Sequence, residues 1–239
     1  MTRRVAAFVA LAAVVVAWFA VAPHLPRLSL WPDVVIVSFA VMPATLLLVL
    51  VALPLWTRRW MPVAVVVLAL AAFGFAEAGW GLEENFAKLF AAVAAGWSFL
   101  LIFEQLSWVV IVACVIPFVD AISVWRGPTH AITAHHIEVY TSVAIAFVVP
   151  HGGAAYLGPP DVLFYALFLA AAARWGLRVG WTWIGTTLMY GLTVALANAL
   201  HVDGLPALPF LSFGFLAANA DLLWTRLRGP ASPSSPAQS

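Results

Sequence analysis

IVACVIPFVDAISVWRG, residues 111–127, is an apolar run that holds one carboxylate, Asp120, with no adjacent cation to pair it. If the run lies in lipid, that acid is costly and needs a reason. Composition identifies the solvent. Of 239 residues, 64% are hydrophobic and 9% are charged, with a mean hydropathy of +1.03. A water-soluble domain carries about 25% charged residues, so the chain is a polytopic membrane protein. The net charge of +1, with its few arginines scattered among loops, gives no footprint for nucleic acid. Cys114 is the single cysteine and sits in the apolar run, which excludes a disulfide framework and a CxxC pair.

A helical span needs about 20 mostly apolar residues. The sequence predicts eight, over 5–22, 33–56, 61–80, 86–103, 106–125, 154–173, 179–200 and 204–225. Trp31, Trp56, Trp60, Trp80, Trp125, Trp175, Trp181 and Trp183 fall near their ends, where an amphipathic ring favours the headgroup layer. With the N-terminus inside, Arg3, Arg4, Arg58, Arg59, Arg174, Arg178, Arg226 and Arg228 are cytoplasmic, and only Arg27, Lys88 and Arg126 are outside. Both termini are then cytoplasmic, and the loop over 126–153 lies on the outer face. The excess of Arg over Lys suits a GC-rich bacterial genome, hence a plasma membrane. The first run also resembles a signal peptide, with an A-x-A-like end at Ala20 and Ala22. Pro23 directly after that site and the length of the run favour a retained span.

Most acids fall at span ends or in loops. Asp120 lies six residues before Arg126, roughly 9 Å from the outer end of its span. Asp161 lies seven residues into the sixth predicted span, roughly 10 Å from the same face. Two consecutive antiparallel spans thus place carboxylates at matching depth. Close carboxylates in a low-dielectric site share one proton, so one serves as general base on a water while the other polarises a carbonyl. Each acid also has a plainer reading. In GPPD, Gly158 can be an N-cap, Pro159 and Pro160 first-turn residues and Asp161 an acid on the helix dipole. Asp120 alone fits a proton or ion path.

A third element follows in the last span, which opens GLPALPFLSFGF with Pro206, Ala207, Leu208 and Pro209. An acid in one span, an acid behind a Gly-containing turn in the next, one intervening span and then PALP: this order resembles the presenilin and signal peptide peptidase family of intramembrane aspartyl proteases. DVLFYALF after Asp161 and DAISVW at Asp120 are similar to the corresponding family segments, and the resemblance covers about residues 106–220. It implies an all-α, presenilin-like bundle of eight or nine spans, with a scaffold over 1–104 and a catalytic core over 105–226; the Pro/Ser-rich end, 227–239, has nothing to bury and is expected to be disordered. The resemblance further implies that Asp120 and Asp161 are the catalytic dyad, and that Gly158, Pro206, Ala207, Leu208 and Pro209 shape the substrate site. Two positions depart from the family pattern: Val119 stands where a Tyr is usual, and GPPD replaces GxGD, so that Pro160 removes a backbone donor and fixes φ.

The segment 136–149, HIEVYTSVAIAFVV, is rich in β-branched residues and predicts a short strand in the loop before the sixth span. Its edge could hold an unwound substrate segment, as the resemblance suggests, or it is a simple loop hairpin. Other protease chemistries are excluded. HExxH is absent, His130, His135, His136 and His151 lack helical metal-ligand spacing, and GWSF at 96–99 has no deep histidine to serve as base. The expected activity is therefore peptide-bond hydrolysis in or near transmembrane segments or signal-peptide remnants, by two aspartates and one water, with no metal or other cofactor. Expected partners are transmembrane helical peptides or proteins and the bilayer, with oligomeric state left open. The rivals are a non-catalytic membrane binding protein on the same scaffold and a proton-coupled carrier; for the latter no inverted repeat is evident.

Overall fold

In the computed structural model the described residues are 2–126, 137–202 and 204–228. Helix α1 covers Thr2–Val21 and passes through a 3-10 turn, Ala22–His24, into a loop. Helices α2 (Leu30–Ile36) and α3 (Met42–Ala52) form one rod through a π-helical turn at Val37–Val41, closed by a 3-10 turn at Leu53–Thr57. Pro43 accounts for the π turn: it lacks an N–H and its ring crowds the carbonyl four residues back, which a widened turn relieves. Helices α4 (Met61–Glu77) and α5 (Gly81–Phe99) are joined at Gly79, whose φ of 72° suits glycine and ends α4. A 3-10 turn, Leu100–Ile102, leads to α6 (Leu106–Arg126), and α7 (Ile137–Val143) then precedes a hairpin of β1 (Ile145–Val148) and β2 (Ala154–Leu157). Helices α8 (Pro159–Arg174), α9 (Val179–Leu200) and α10 (Leu208–Arg228) complete the chain.

Five of these rods are long and apolar enough to cross a membrane: Arg3–His24, Leu30–Thr57, Gly81–Ile102, Leu106–Arg126 and Val179–Leu200. Exposed apolar faces agree, on the shorter helix α4 as well as on α6. Val63, Val66, Leu70 and Phe73 on α4, and Ile111, Val115, Phe118 and Ile122 on α6, are exposed. Stripes of that kind are stable against lipid and not against water. The chain is an all-α membrane protein with, among the described residues, one small antiparallel hairpin.

Helix α8 is the axis of the bundle, and Leu167, Phe168, Leu169, Ala170, Ala171 and Ala172 are wholly shielded. In lipid, where apolar burial between helices drives little, close approach of small residues holds such a centre together. At Gly96 of α5 an added Cβ would collide with the Leu163 carbonyl of α8. Gly185 of α9 and Gly214 of α10 meet in the same way, and a Cβ on Gly191 would stand 2.8 Å from the Ser38 carbonyl in the π turn. Phe168 stacks on Phe215 at 4.6 Å, tying α8 to α10. Buried residues from both halves form one continuous core.

Several expectations are corrected. The sixth predicted span begins at Pro159 instead of 154, because residues 154–157 pair as β2 with β1. Two consecutive prolines suit a helix's first turn, where N–H groups have no intrahelical partner. The helix in the last predicted span begins at Leu208 instead of 204, leaving Pro206 and Ala207 in the loop ahead of it. The strand expected over 136–149 is helical through Val143, and only 145–148 is extended; residue 136 lies outside the described residues. Helix α10 continues through Arg228, so residues 227 and 228 are not part of a disordered tail; residues 229–239, like His130 and His135, lie outside the described residues.

Candidate functional site

Asp161 occupies the third helical position of α8, not the seventh residue of a span. Its Oδ2 accepts the Gly158 N–H at 3.1 Å. Gly158 has φ −66° and ψ 148°, an extended conformation open to any residue. What its lack of a side chain supplies is room: a Cβ there would stand 3.2 Å from that same Oδ2. Pro160 takes the second helical position, where a missing N–H costs nothing. GPPD is a regular helix start, and the capping reading of Asp161 is realised in its geometry.

Asp120 sits in the last turns of α6 and is half-buried. Its Oδ2 accepts the backbone N–H of Leu208 at 3.0 Å. Leu208 is the first residue of α10, and its N–H is one of the donors that a helix start leaves unpaired. Pro206 and Ala207 bring that amide to the acid, so the PALP segment and the first aspartate are in direct contact. Asp120 and Asp161 lie within electrostatic reach of each other. The positive ends of α8 and α10 both face the pair, an arrangement that favours negative charge there. Pro209 is the second residue of α10 and half-buried.

Two tyrosines, Tyr190 and Tyr140, bear on the acids. Tyr190 of α9 donates its hydroxyl to the Asp161 backbone carbonyl. The Tyr190 ring packs 5.8 Å from that of Tyr165, whose hydroxyl meets Thr187 Oγ1 at 3.4 Å. From α7, Tyr140 approaches both acids: burial, and then the charges of Asp161 and Asp120, push its hydroxyl up to about 12. It is therefore a neutral phenol and a potential donor. Sequence reasoning did not single out Tyr140 or Tyr190; the available signal was that the chain has only 4 tyrosines and that a buried phenol needs a partner.

The hairpin borders the site through Leu157, which directly precedes Gly158. The outer edge of β1 is occupied. Asn85 of α5 donates to the Ala146 carbonyl at 2.9 Å and accepts the Ala146 N–H at 2.7 Å, and Trp18 Nε1 donates to the Val148 carbonyl at 2.9 Å. Among the described residues no group of His, Cys, Asp and Glu could hold a metal ion. No family model, no curated protein and no solved structure matches the chain.

Proposed function

We propose that the protein is an intramembrane aspartyl endopeptidase of the presenilin and signal peptide peptidase kind, with Asp120 and Asp161 as its dyad. The observation that carries the reading is the Leu208 N–H on Asp120 beside Asp161: acids from two spans and the PALP segment of a third converge. One carboxylate removes a proton from water as its oxygen attacks the scissile carbonyl carbon, while the other, protonated, donates to the carbonyl oxygen. Collapse of the resulting gem-diol, with a proton passed to the amide nitrogen, breaks the C–N bond and yields an acid and an amine. The Leu208 and Gly158 amides hold one oxygen of each acid, which orients the pair before substrate arrives.

Eight spans follow if α4, α8 and α10 also cross. Helix α8, at 16 residues, is about 24 Å long, short for lipid. It is wrapped in protein, where non-helical backbone at membrane depth is tolerated. A substrate helix must unwind before its peptide bonds are accessible, and because Asn85 and Trp18 occupy β1, the edge left for a third strand is that of β2, leading into Gly158 and Asp161. Substrates are then transmembrane peptides or signal-peptide remnants.

A second reading has its own support. Both carboxylates accept helix-start amides, so the same contacts serve a scaffold that binds a helical peptide without cutting it. Incubation of the purified protein with a fluorogenic single-span peptide, followed by mass analysis, separates the two. The proposal expects scission within the apolar segment by wild type. Stable binding with the peptide intact from pH 4 to 8, together with scission by Pro160→Gly, would establish the binding scaffold instead.

A further inference from the structure

At the end of the bundle opposite the hairpin, the start of α1, the end of α3 and the junction of α8 with α9 line an open cavity of about 650 Å³. That volume is within the range of small-molecule sites, about 300–1,000 Å³. Its wall is apolar, built from Ala7, Leu50, Val51 and Pro54, and its charged lining residues are Arg3 and Arg4. The arginines nearby have other engagements. Arg174 donates to the Leu100 carbonyl, Arg178 forms a two-point pair with Asp221, Arg226 donates to the Gly176 carbonyl and Arg228 lies over the Trp224 ring. Arg3 and Arg4 are exposed and, among the described residues, have no acid partner.

Two uncompensated guanidiniums beside an apolar wall match an amphiphile with an anionic head, and in a membrane protein that amphiphile is a lipid. We propose that this cavity holds one anionic phospholipid, its phosphate on Arg3 and Arg4 and an acyl chain against Leu50, Val51 and Pro54. The lipid bridges α1 to α3. Helix α1 is otherwise shallowly seated, with 11% of its apolar window buried, so the lipid also fastens the helix whose far end donates to the hairpin through Trp18. The site is independent of the aspartates.

The test is native mass spectrometry of full-length protein equilibrated with micelles containing equal phosphatidylglycerol and phosphatidylcholine. At about 1 kcal/mol per arginine, wild type should retain one phosphatidylglycerol with ~30-fold preference. The double variant Arg3→Gln/Arg4→Gln, at exposed positions that leave folding intact, should bring the preference close to unity. Arg58→Gln/Arg59→Gln should keep it, and Val51→Trp should expel lipid of both kinds. Equal retention of the two lipids by wild type would overturn the proposal, as would an unchanged preference in the Arg3/Arg4 variant. An equal loss in the Arg58/Arg59 variant would mean general surface charge, and displacement by millimolar inorganic phosphate would mean a free-anion site; either result also overturns it.

Discussion

Asp120 and Asp161 are held by backbone amides, not by side chains, and that difference governs what substitution does. Replacing either by Asn leaves a side-chain oxygen to accept the same N–H, so such variants test charge and proton exchange with little loss of fold. Tyr140 is a different case, because its phenol stays neutral within electrostatic reach of the acids and can offer a substrate a donor without a charge. Tyr140→Phe should lower the turnover of a transmembrane peptide by about tenfold, the effect of one lost hydrogen bond of roughly 1.4 kcal/mol in the transition state. Circular dichroism and substrate binding should be unchanged; an unaltered turnover would remove Tyr140 from the site. Asp120, Asp161 and PALP were legible in the sequence because intramembrane acids and a proline-flanked helix entrance are rare and ordered along the chain. Tyr140 and Tyr190 were not, because an isolated tyrosine carries no spacing that reveals which acid it will face.

Among elements, the hairpin depends on a side chain far from it in sequence. Asn85 satisfies both backbone groups of Ala146 and stands in for a third strand on that edge. Asn85→Ala would orphan those groups at a cost of about 1–3 kcal/mol, seen as faster hydrogen exchange at 145–148 while the remaining helices keep their protection. The contact of α5 with α8 is equally specific. Gly96→Ala places a methyl on the Leu163 carbonyl, backbone that cannot rotate aside, and should destabilise the protein by about 1–3 kcal/mol in thermal unfolding. A wild-type melting temperature would contradict that close crossing. Hydropathy located the long helices among the described residues, and five of them are long and apolar enough to cross a membrane. It overran the starts of α8 and α10, where apolar residues continue into a strand and a proline loop: hydropathy measures the solvent, whereas prolines and strand pairing set where a helix begins.

At the scale of the molecule, helix ends sort into two sets. Trp18, Asn85, Asp120 and Leu208 gather near the hairpin, whereas Arg3, Trp56, Ala173, Leu100 and Asp221 belong to the opposite end. Under the proposed eight-span reading the rods pass the bilayer alternately, and the arginine-bearing end with Arg3, Arg174, Arg178, Arg226 and Arg228 is the cytoplasmic one. In a Cys114→Ser background, a membrane-impermeant thiol reagent on intact cells should label Ala78→Cys and spare Arg59→Cys and Arg228→Cys; the reverse pattern would invert the orientation. The architecture holds two acids, carried on separate helices, within electrostatic reach of each other, and the joint action proposed for them is tested most directly by one comparison: cleavage of a fluorogenic transmembrane peptide by wild type, Asp120→Asn, Asp161→Asn and the double variant. A dyad acting as a unit predicts that each single variant loses at least about 10³-fold and that the double variant loses no more than either single one. Full activity in either single variant, or losses that multiply in the double, would contradict the account.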